Sequence, residues 1–264
     1  VSPLAQKFAD LRSRGEKALV VFVTAGDPPL EELPAILDAL AEGGADVIEV
    51  GIPFSDPFGE GPTIQASSQR ALDAGTTPRA ILDAIGKAHL RVPTVTMGYY
   101  NPILRHGLAR YAQECAAVGV SGTIVSDLVP DEAEAWNTAS VAAGIDTIFL
   151  VAPTSTESRI REVADHTTGF VYVVSRTGVT GAESAVPTDV TGLVRKVRNL
   201  TDRPVCVGFG ISTPEHVRMV CQVADGAVVG SALVAKIHRE WEGGKGRAAI
   251  VDFVRSLKAA TKAP

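Results

Sequence analysis

Leu19-Val20-Val21-Phe22-Val23-Thr24 is an apolar, largely β-branched run that leads through Ala25-Gly26-Asp27-Pro28-Pro29 into Leu33-Pro34-Ala35-Ile36-Leu37-Asp38-Ala39-Leu40-Ala41. A strand apolar at nearly every position suits a sheet covered on both faces, as in parallel α/β folds. In the segment after it, Leu33, Ile36, Leu37 and Leu40 recur at helical spacing and make one apolar face. The unit is strand, turn, helix, and it recurs. Further strands are predicted at 46–51, 93–97, 122–127, 147–151, 170–174, 204–208 and 226–230, with helical patterns such as 80–85 between them. Small or glycine-rich turns (Gly43-Gly44-Ala45, Gly119-Val120, Gly144-Ile145) end several of the helices. Eight such units without a Pro/Ser-rich linker or short repeat predict one α/β domain over 1–264. It is read as a (β/α)8 TIM barrel with an extra amphipathic N-terminal helix within 1–14. The rival is an open doubly wound sheet, which has fewer strands and a glycine-rich turn after the first; Ala25–Pro29 carries no such fingerprint.

Composition narrows the partners. Of 264 residues 45% are apolar, and the net charge is −5. Nucleic acid and anionic membranes both need a basic surface, so neither is expected as a partner. No apolar stretch approaches the roughly 20 residues that span a bilayer, and the N-terminus has no signal-peptide core. Cys115, Cys206 and Cys221 are few, odd in number and set in apolar segments, which reads as buried thiols of a cytoplasmic protein.

Two glycine clusters follow the seventh and eighth predicted strands: Gly208-Phe209-Gly210-Ile211-Ser212 and Gly230-Ser231-Ala232. In barrels these two loops often bind phosphate. Glycine lets the backbone approach the ligand, N–H groups face its oxygens, and a helix N-terminus favours the negative charge. Ser231 adds a hydroxyl donor. Tight turns alone are the plainer explanation, but two such turns at the two right strand ends favour phosphate. A third glycine-rich loop, Arg176-Thr177-Gly178-Val179-Thr180-Gly181-Ala182, follows strand six and is long enough to close over a ligand.

The second strand, Asp46-Val47-Ile48-Glu49-Val50-Gly51, carries a carboxylate on its inward side if Val47, Glu49 and Gly51 share a face. Burying a carboxylate costs several kcal/mol unless it is paired or protonated, so its pKa should rise toward neutrality and suit proton transfer. The alternative is a structural ion pair or a hydrogen bond to a buried tyrosine such as Tyr172. The following loop adds Asp56 and Glu60 over the same mouth. Glu60, beside Gly61-Pro62 at a helix start, has the further reading of a plain dipole partner.

A Schiff-base aldolase needs a lysine at a strand end, whereas all the lysines fall in helices or connections. The histidines (His89, His106, His166, His216, His238) lie in helical or loop segments and read as surface residues, not ligands. What remains is metal-free, cofactor-free acid–base chemistry by carboxylates on a phosphorylated substrate.

Five stretches together resemble the tryptophan synthase alpha subunit family: 21–28, 49–57, 61–65, 175–181 and 208–212. The resemblance runs along essentially the whole chain. It implies a carbon–carbon lyase of tryptophan biosynthesis, cleaving indole-3-glycerol phosphate to indole and glyceraldehyde 3-phosphate by a retro-aldol step. It also implies a pyridoxal-phosphate beta subunit as partner, in an alpha2beta2 assembly, that receives the indole through an internal passage. Glu49 matches the family's general acid–base. The family's second catalytic carboxylate, which holds the indole N–H, is an Asp, and here the matching residue is Glu60. The extra methylene must fold back to reach the same atom, and misplacement near 1 Å can cost about a hundredfold in rate. By the same resemblance Phe22, Met97, Tyr99, Ser126, Leu150, Tyr172 and Phe209 line the indole pocket. Thr180 and Gly181 belong to the lid. Gly181, Gly210, Gly230 and Ser231 cradle the phosphate. Pro53, Asp56, Asn101, Asp127 and Pro130 face the beta subunit. A second reading is a weakly catalytic or non-catalytic regulator of that subunit, blunted by Glu60. A third is another phosphate-binding barrel, an epimerase or isomerase of a sugar phosphate.

Overall fold

A computed structural model describes residues 1–88, 90–174, 188–208 and 210–262. The strands are β1 (Ala18–Thr24), β2 (Val47–Gly51), β3 (Thr94–Gly98), β4 (Val120–Val125), β5 in two segments (Asp146–Ile148 and Leu150–Val151), β6 (Val171–Val174), β7 (Val205–Gly208) and β8 (Gly226–Val229). All ladders are parallel, and β1 pairs with both β2 and β8, so the order closes on itself. The predicted fifth strand is split because it changes partner midway. Its first segment is in register with β4 and its second with β6. The Tyr172 N–H still donates to the carbonyl of the intervening Phe149 at 3.0 Å. The fourth strand starts two residues before its predicted bound. Gly119, at φ +83°, makes the turn that lets Val120 enter the sheet. Asp127 leaves the strand and accepts the Tyr100 N–H at 2.7 Å.

Helices cover the outside: α1 (Pro3–Ser13), α2 (Leu33–Glu42), α3 (Pro62–Asp73), α4 (Pro78–Lys87), α5 (Tyr100–His106), α6 (Leu108–Ala117), α7 (Glu134–Ala143), α8 (Glu157–His166), α9 (Thr188–Arg198), α10 (Pro214–Cys221), α11 (Ser231–Glu240) and α12 (Arg247–Ala259). The side-chain oxygens of Ser2, Thr77, Thr156 and Thr213 cap four of them by accepting a first-turn N–H. The predicted apolar face of α2, Leu33, Ile36, Leu37 and Leu40, is buried on the sheet.

Period-two alternation places Val20, Val47, Val95, Ile124, Ile148, Tyr172, Cys206 and Val228 inside the ring. The extra helix α1 plugs the N-terminal end with Leu4, Phe8 and Leu11, each worth about 1.5–3 kcal/mol in burial. Gly122 and Gly169 make room for that plug. A Cβ there would stand 3.1 and 3.2 Å from Leu4 Cδ1. One end of the barrel is thus closed by side chains, which leaves the C-terminal mouth for a ligand. Cys115 and Cys206 are buried free thiols as expected, while Cys221 is only half-buried. His106 is not a surface residue: it packs edge-on against Tyr111, with Nε2 2.7 Å from the Glu114 carboxylate. No helix is long and apolar enough to cross a membrane among the described residues.

Candidate active site

Register sets the depth of the key carboxylate. Glu49 is flanked by Phe22 on β1 and Val95 on β3, and its side chain is 0% exposed. Neither carboxylate oxygen has a hydrogen-bond partner among the described residues. The structural explanations, an ion pair or a bond to Tyr172, are therefore not met among them. Desolvation dominates, and the pKa of Glu49 is pushed up to about 8. Tyr172 is also raised, by its own burial and then by the nearby charge of Glu49.

Two glycines hold the aromatic walls close to that carboxyl. A Cβ on Gly51 would collide with the Phe22 ring, and one on Gly208 would lie 2.5 Å from the Tyr172 hydroxyl. Above them opens a cavity of about 490 Å³. Glu49, Phe22, Met97 and Tyr172 form its floor and sides, and Glu60 reaches it from the loop after β2. Its far side is made of Gly210, Ile211 and Ser212 after β7 and of Gly230, Ser231 and Ala232 after β8. Ser231 is the first residue of α11, so first-turn N–H groups and the positive end of the helix dipole border the cavity. Gly210 sits at φ +49°, a left-handed conformation that an L side chain rarely adopts.

Burial also raises the pKa of Glu60, against partial hydrogen bonding from the Tyr99 hydroxyl. Its Oε2 atom is buried and has no partner among the described residues. Asp56, by contrast, is exposed and does not line the cavity. Neither do Tyr99, Ser126 and Leu150. Tyr99 is buried beneath the loop that carries Glu60, donating nothing to Gly59 but accepting its N–H at 3.2 Å. Leu150 packs with Met97 and Val174 on the barrel interior, and Ser126 anchors β4 by donating its N–H to the Gly98 carbonyl. Thr180, Gly181 and Phe209 lie outside the described residues.

Reasoning from sequence missed Ser212, Ala232, Thr63 and Ile64 as wall residues. Ser212 and Ala232 sit inside the two glycine clusters, so that signal was available. Ile64 was not so marked, and it closes the cavity by coming within 3.6 Å of where a Gly230 Cβ would be. Also missed was Asp27, 8% exposed in the turn after β1. It accepts from Ser67 Oγ at 2.6 Å and from Arg70 at 2.6 and 3.1 Å on α3, and lies 3.4 Å from His238 on α11. This cluster ties together the helix that follows Glu60 and the helix that begins at Ser231. Among the described residues no three His, Cys, Asp or Glu side chains are grouped to hold a metal ion.

The family model for the tryptophan synthase alpha chain matches residues 8–262. The chain belongs to this family. Among curated relatives, the tryptophan synthase alpha chain of Geobacter sulfurreducens is 50% identical, covering 98% of this chain and 99% of the relative. That of Geotalea uraniireducens is 48% identical, covering 100% and 99%. Among solved structures, tryptophan synthase subunit alpha from Legionella pneumophila superposes with a TM-score of 0.91 at 32% identity, covering 99% and 98%. A chain of tryptophan synthase from M. tuberculosis, in an aminoacrylate-bound form, gives 0.89 at 35%, covering 99% and 100%. The tryptophan synthase alpha family is one of carbon–carbon lyases acting in tryptophan biosynthesis, so the reading as a sugar-phosphate isomerase falls. Nothing in the site favours the regulator reading either, because Glu60 faces the same cavity as Glu49.

Proposed function

We propose that this cavity cleaves indole-3-glycerol phosphate, with Glu49 as the acid and base and Glu60 as the partner of the indole nitrogen. The observation that carries the proposal is a fully buried carboxyl, uncompensated among the described residues, that shares with a second, half-buried carboxyl a cavity that ends at a helix N-terminus. With a pKa of about 8, Glu49 holds its proton at neutral pH, so its first act is donation. The proton goes to the indole C3, and the positive charge that develops on the ring nitrogen is met by the Glu60 carboxylate. Glu49, now ionised, takes the proton of the neighbouring glycerol hydroxyl. The carbon–carbon bond then breaks, its electron pair returns the indole to aromaticity, and the hydroxyl carbon becomes the aldehyde. One proton is given and one is taken, so the carboxyl ends as it began. The phosphate rests on Gly210, Gly230 and Ser231 and fixes the reacting carbon above Glu49. Phe22, Met97 and Tyr172 sandwich the indole. The described elements act here as one barrel domain over 1–264.

The partner surface is the rim formed by the loops after β2, β3 and β4. Phe58, Leu104 and Val129 are exposed there at 75%, 51% and 42%, beside the exposed Asp56, Asn101 and Asp127, whereas Pro53 and Pro130, expected on the same face, are buried. A beta subunit of an alpha2beta2 assembly in the cytoplasm would bury this apolar rim. The test is steady-state release of indole from indole-3-glycerol phosphate, with and without beta subunit. Measurable turnover that rises with beta subunit is expected, and its absence in both conditions would overturn the reading.

A further inference from the structure

Two helices from distant parts of the chain, α3 and α11, pack against each other beside the cavity. α3 holds the loop of Glu60 at its head, because the Gln65 side-chain amide donates to the Glu60 carbonyl at 2.8 Å. α11 presents Gly230 and Ser231 at its N-terminus. A substrate seated on Ser231 and met by Glu60 must reach from one helix to the other, so their mutual position decides whether both ends are held at once. Near the cavity the helices meet through Ile64, whose Cδ1 lies 3.6 Å from where a Gly230 Cβ would stand. Such apolar contact is non-directional and does not by itself set one position. The directional tie is Asp27, buried in the turn after β1 and outside the cavity lining. Arg70 forks onto its carboxylate, Nη2 to Oδ2 at 2.6 Å and Nε to Oδ1 at 3.1 Å, and Ser67 Oγ donates to Oδ2 at 2.6 Å. Both donors stand on α3. From α11, His238 brings Nδ1 to 3.4 Å from Oδ1. The turn has no slack: a Cβ on Gly26 would collide with Thr76 and stand 3.0 Å from Ala71 Cβ. A planar fork fixes direction as well as distance, so α3 is held in one orientation against the end of β1.

We infer that Asp27 is a positioning residue that sets the spacing between the phosphate-binding end of α11 and the loop that carries Glu60. His238 and Ser231 lie about two turns apart on one helix, and Gln65 and Arg70 about a turn and a half apart on the other, so each tie acts through a short, stiff lever. Loosening the clamp leaves each end intact and lets their separation vary. It penalises a ligand that needs both ends and spares a ligand that needs one, because the second contact no longer comes at a fixed effective concentration. The inference rests on the proposed binding of indole-3-glycerol phosphate across this cavity.

Calorimetry on the full chain tests it in a Glu49→Gln background, where cleavage is slow, with two ligands: indole-3-glycerol phosphate, which spans the cavity, and glycerol 3-phosphate, which reaches only the α11 end. Asp27→Asn keeps the shape of the side chain and removes its charge. It should weaken binding of the spanning ligand by about twofold to thirtyfold, the range for residues that couple sites without touching a ligand. Glycerol 3-phosphate should bind within about twofold of the Glu49→Gln parent. His238 is half-exposed, so His238→Ala cuts the α11 arm alone and should show the same split at smaller size. It decides the matter if circular dichroism shows Asp27→Asn unfolded. An equal loss for both ligands makes the joint a support of the fold only and overturns the inference, as does unchanged binding of indole-3-glycerol phosphate. Failure of either ligand to bind the Glu49→Gln parent overturns the proposed reading of the cavity and the clamp with it.

Discussion

Asp27, in the turn after β1, and Glu49, on β2, are carboxylates of similar burial, 8% and 0% exposed, yet their environments act in opposite directions. Burial works against the charge of Asp27, but hydrogen bonds from Arg70 and Ser67 and the charges of Arg70 and His238 outweigh it and lower the pKa. Glu49 meets burial alone, and its pKa rises to about 8. The first arrangement is a joint that fixes two helices. The second leaves a costly group uncompensated, a state that persists where proton transfer needs it. Burial by itself does not mark a candidate site; what sets Glu49 apart is that neither carboxylate oxygen has a partner among the described residues and that it lines a cavity.

The largest expected effect breaks the comparison on the catalytic side. Glu49→Gln should keep substrate binding and lower the kcat for indole release by about 10²–10⁴-fold, the usual contribution of a general acid or base. Binding of substrate measured by calorimetry should stay within a few-fold, and retained turnover would show that another group moves the proton. Asp27→Asn attacks the other side. It removes the charge of the Arg70 ion pair and one of its two acceptor oxygens, and because Arg70 is 40% exposed the cost should be about 1–3 kcal/mol in denaturant unfolding. Its kcat should fall far less than that of Glu49→Gln. A fall of similar size would mean that the joint serves chemistry as much as stability.

The pH dependence of stability follows with opposite signs. Glu49 titrates near 4.5 when unfolded and near 8 when folded, so folding favours its protonated form. Its contribution to stability is complete below pH 4.5 and is lost as pH rises through 8, by up to about 1.4 kcal/mol per pH unit in that window. The Glu49→Gln variant should therefore melt above the parent chain, with a gap that widens from pH 5 to pH 8. Asp27 has a folded pKa below its unfolded one, so its contribution is present above the unfolded value and disappears as pH falls through the folded value. Asp27→Asn should accordingly lose its deficit in acid. Thermal scans of both variants from pH 3 to pH 8 check the two signs together.

The buried carboxylate proposed to be catalytic was readable from sequence and the structural one was not, for a physical reason. Glu49 interrupts an otherwise apolar alternation, so its depth follows from the strand pattern alone. Asp27 lies in an irregular turn, and its partners Ser67, Arg70 and His238 come from helices at least 40 residues away. The same limit applies to Tyr99, whose bond to Gly59 spans 40 residues across adjacent loops. Strands and glycine turns are local and could be read within a residue or two. The clearance that Gly51 and Gly208 give Phe22 and Tyr172 depends on inter-strand register, which no local window contains.

The smallest expected effect concerns Glu60, where the family resemblance implies an Asp. If the longer carboxylate were a handicap, Glu60→Asp would raise the rate sharply. The site argues otherwise, since a side chain of glutamate length already stands half-buried at the cavity, with its Oε2 buried and unpartnered among the described residues. Shortening it draws the carboxylate back from the cavity and so from the indole nitrogen. The kcat of Glu60→Asp should then fall, by less than about tenfold. A rise in rate would show that the glutamate is tolerated rather than accommodated, and that the burial of its Oε2 is a cost without a use.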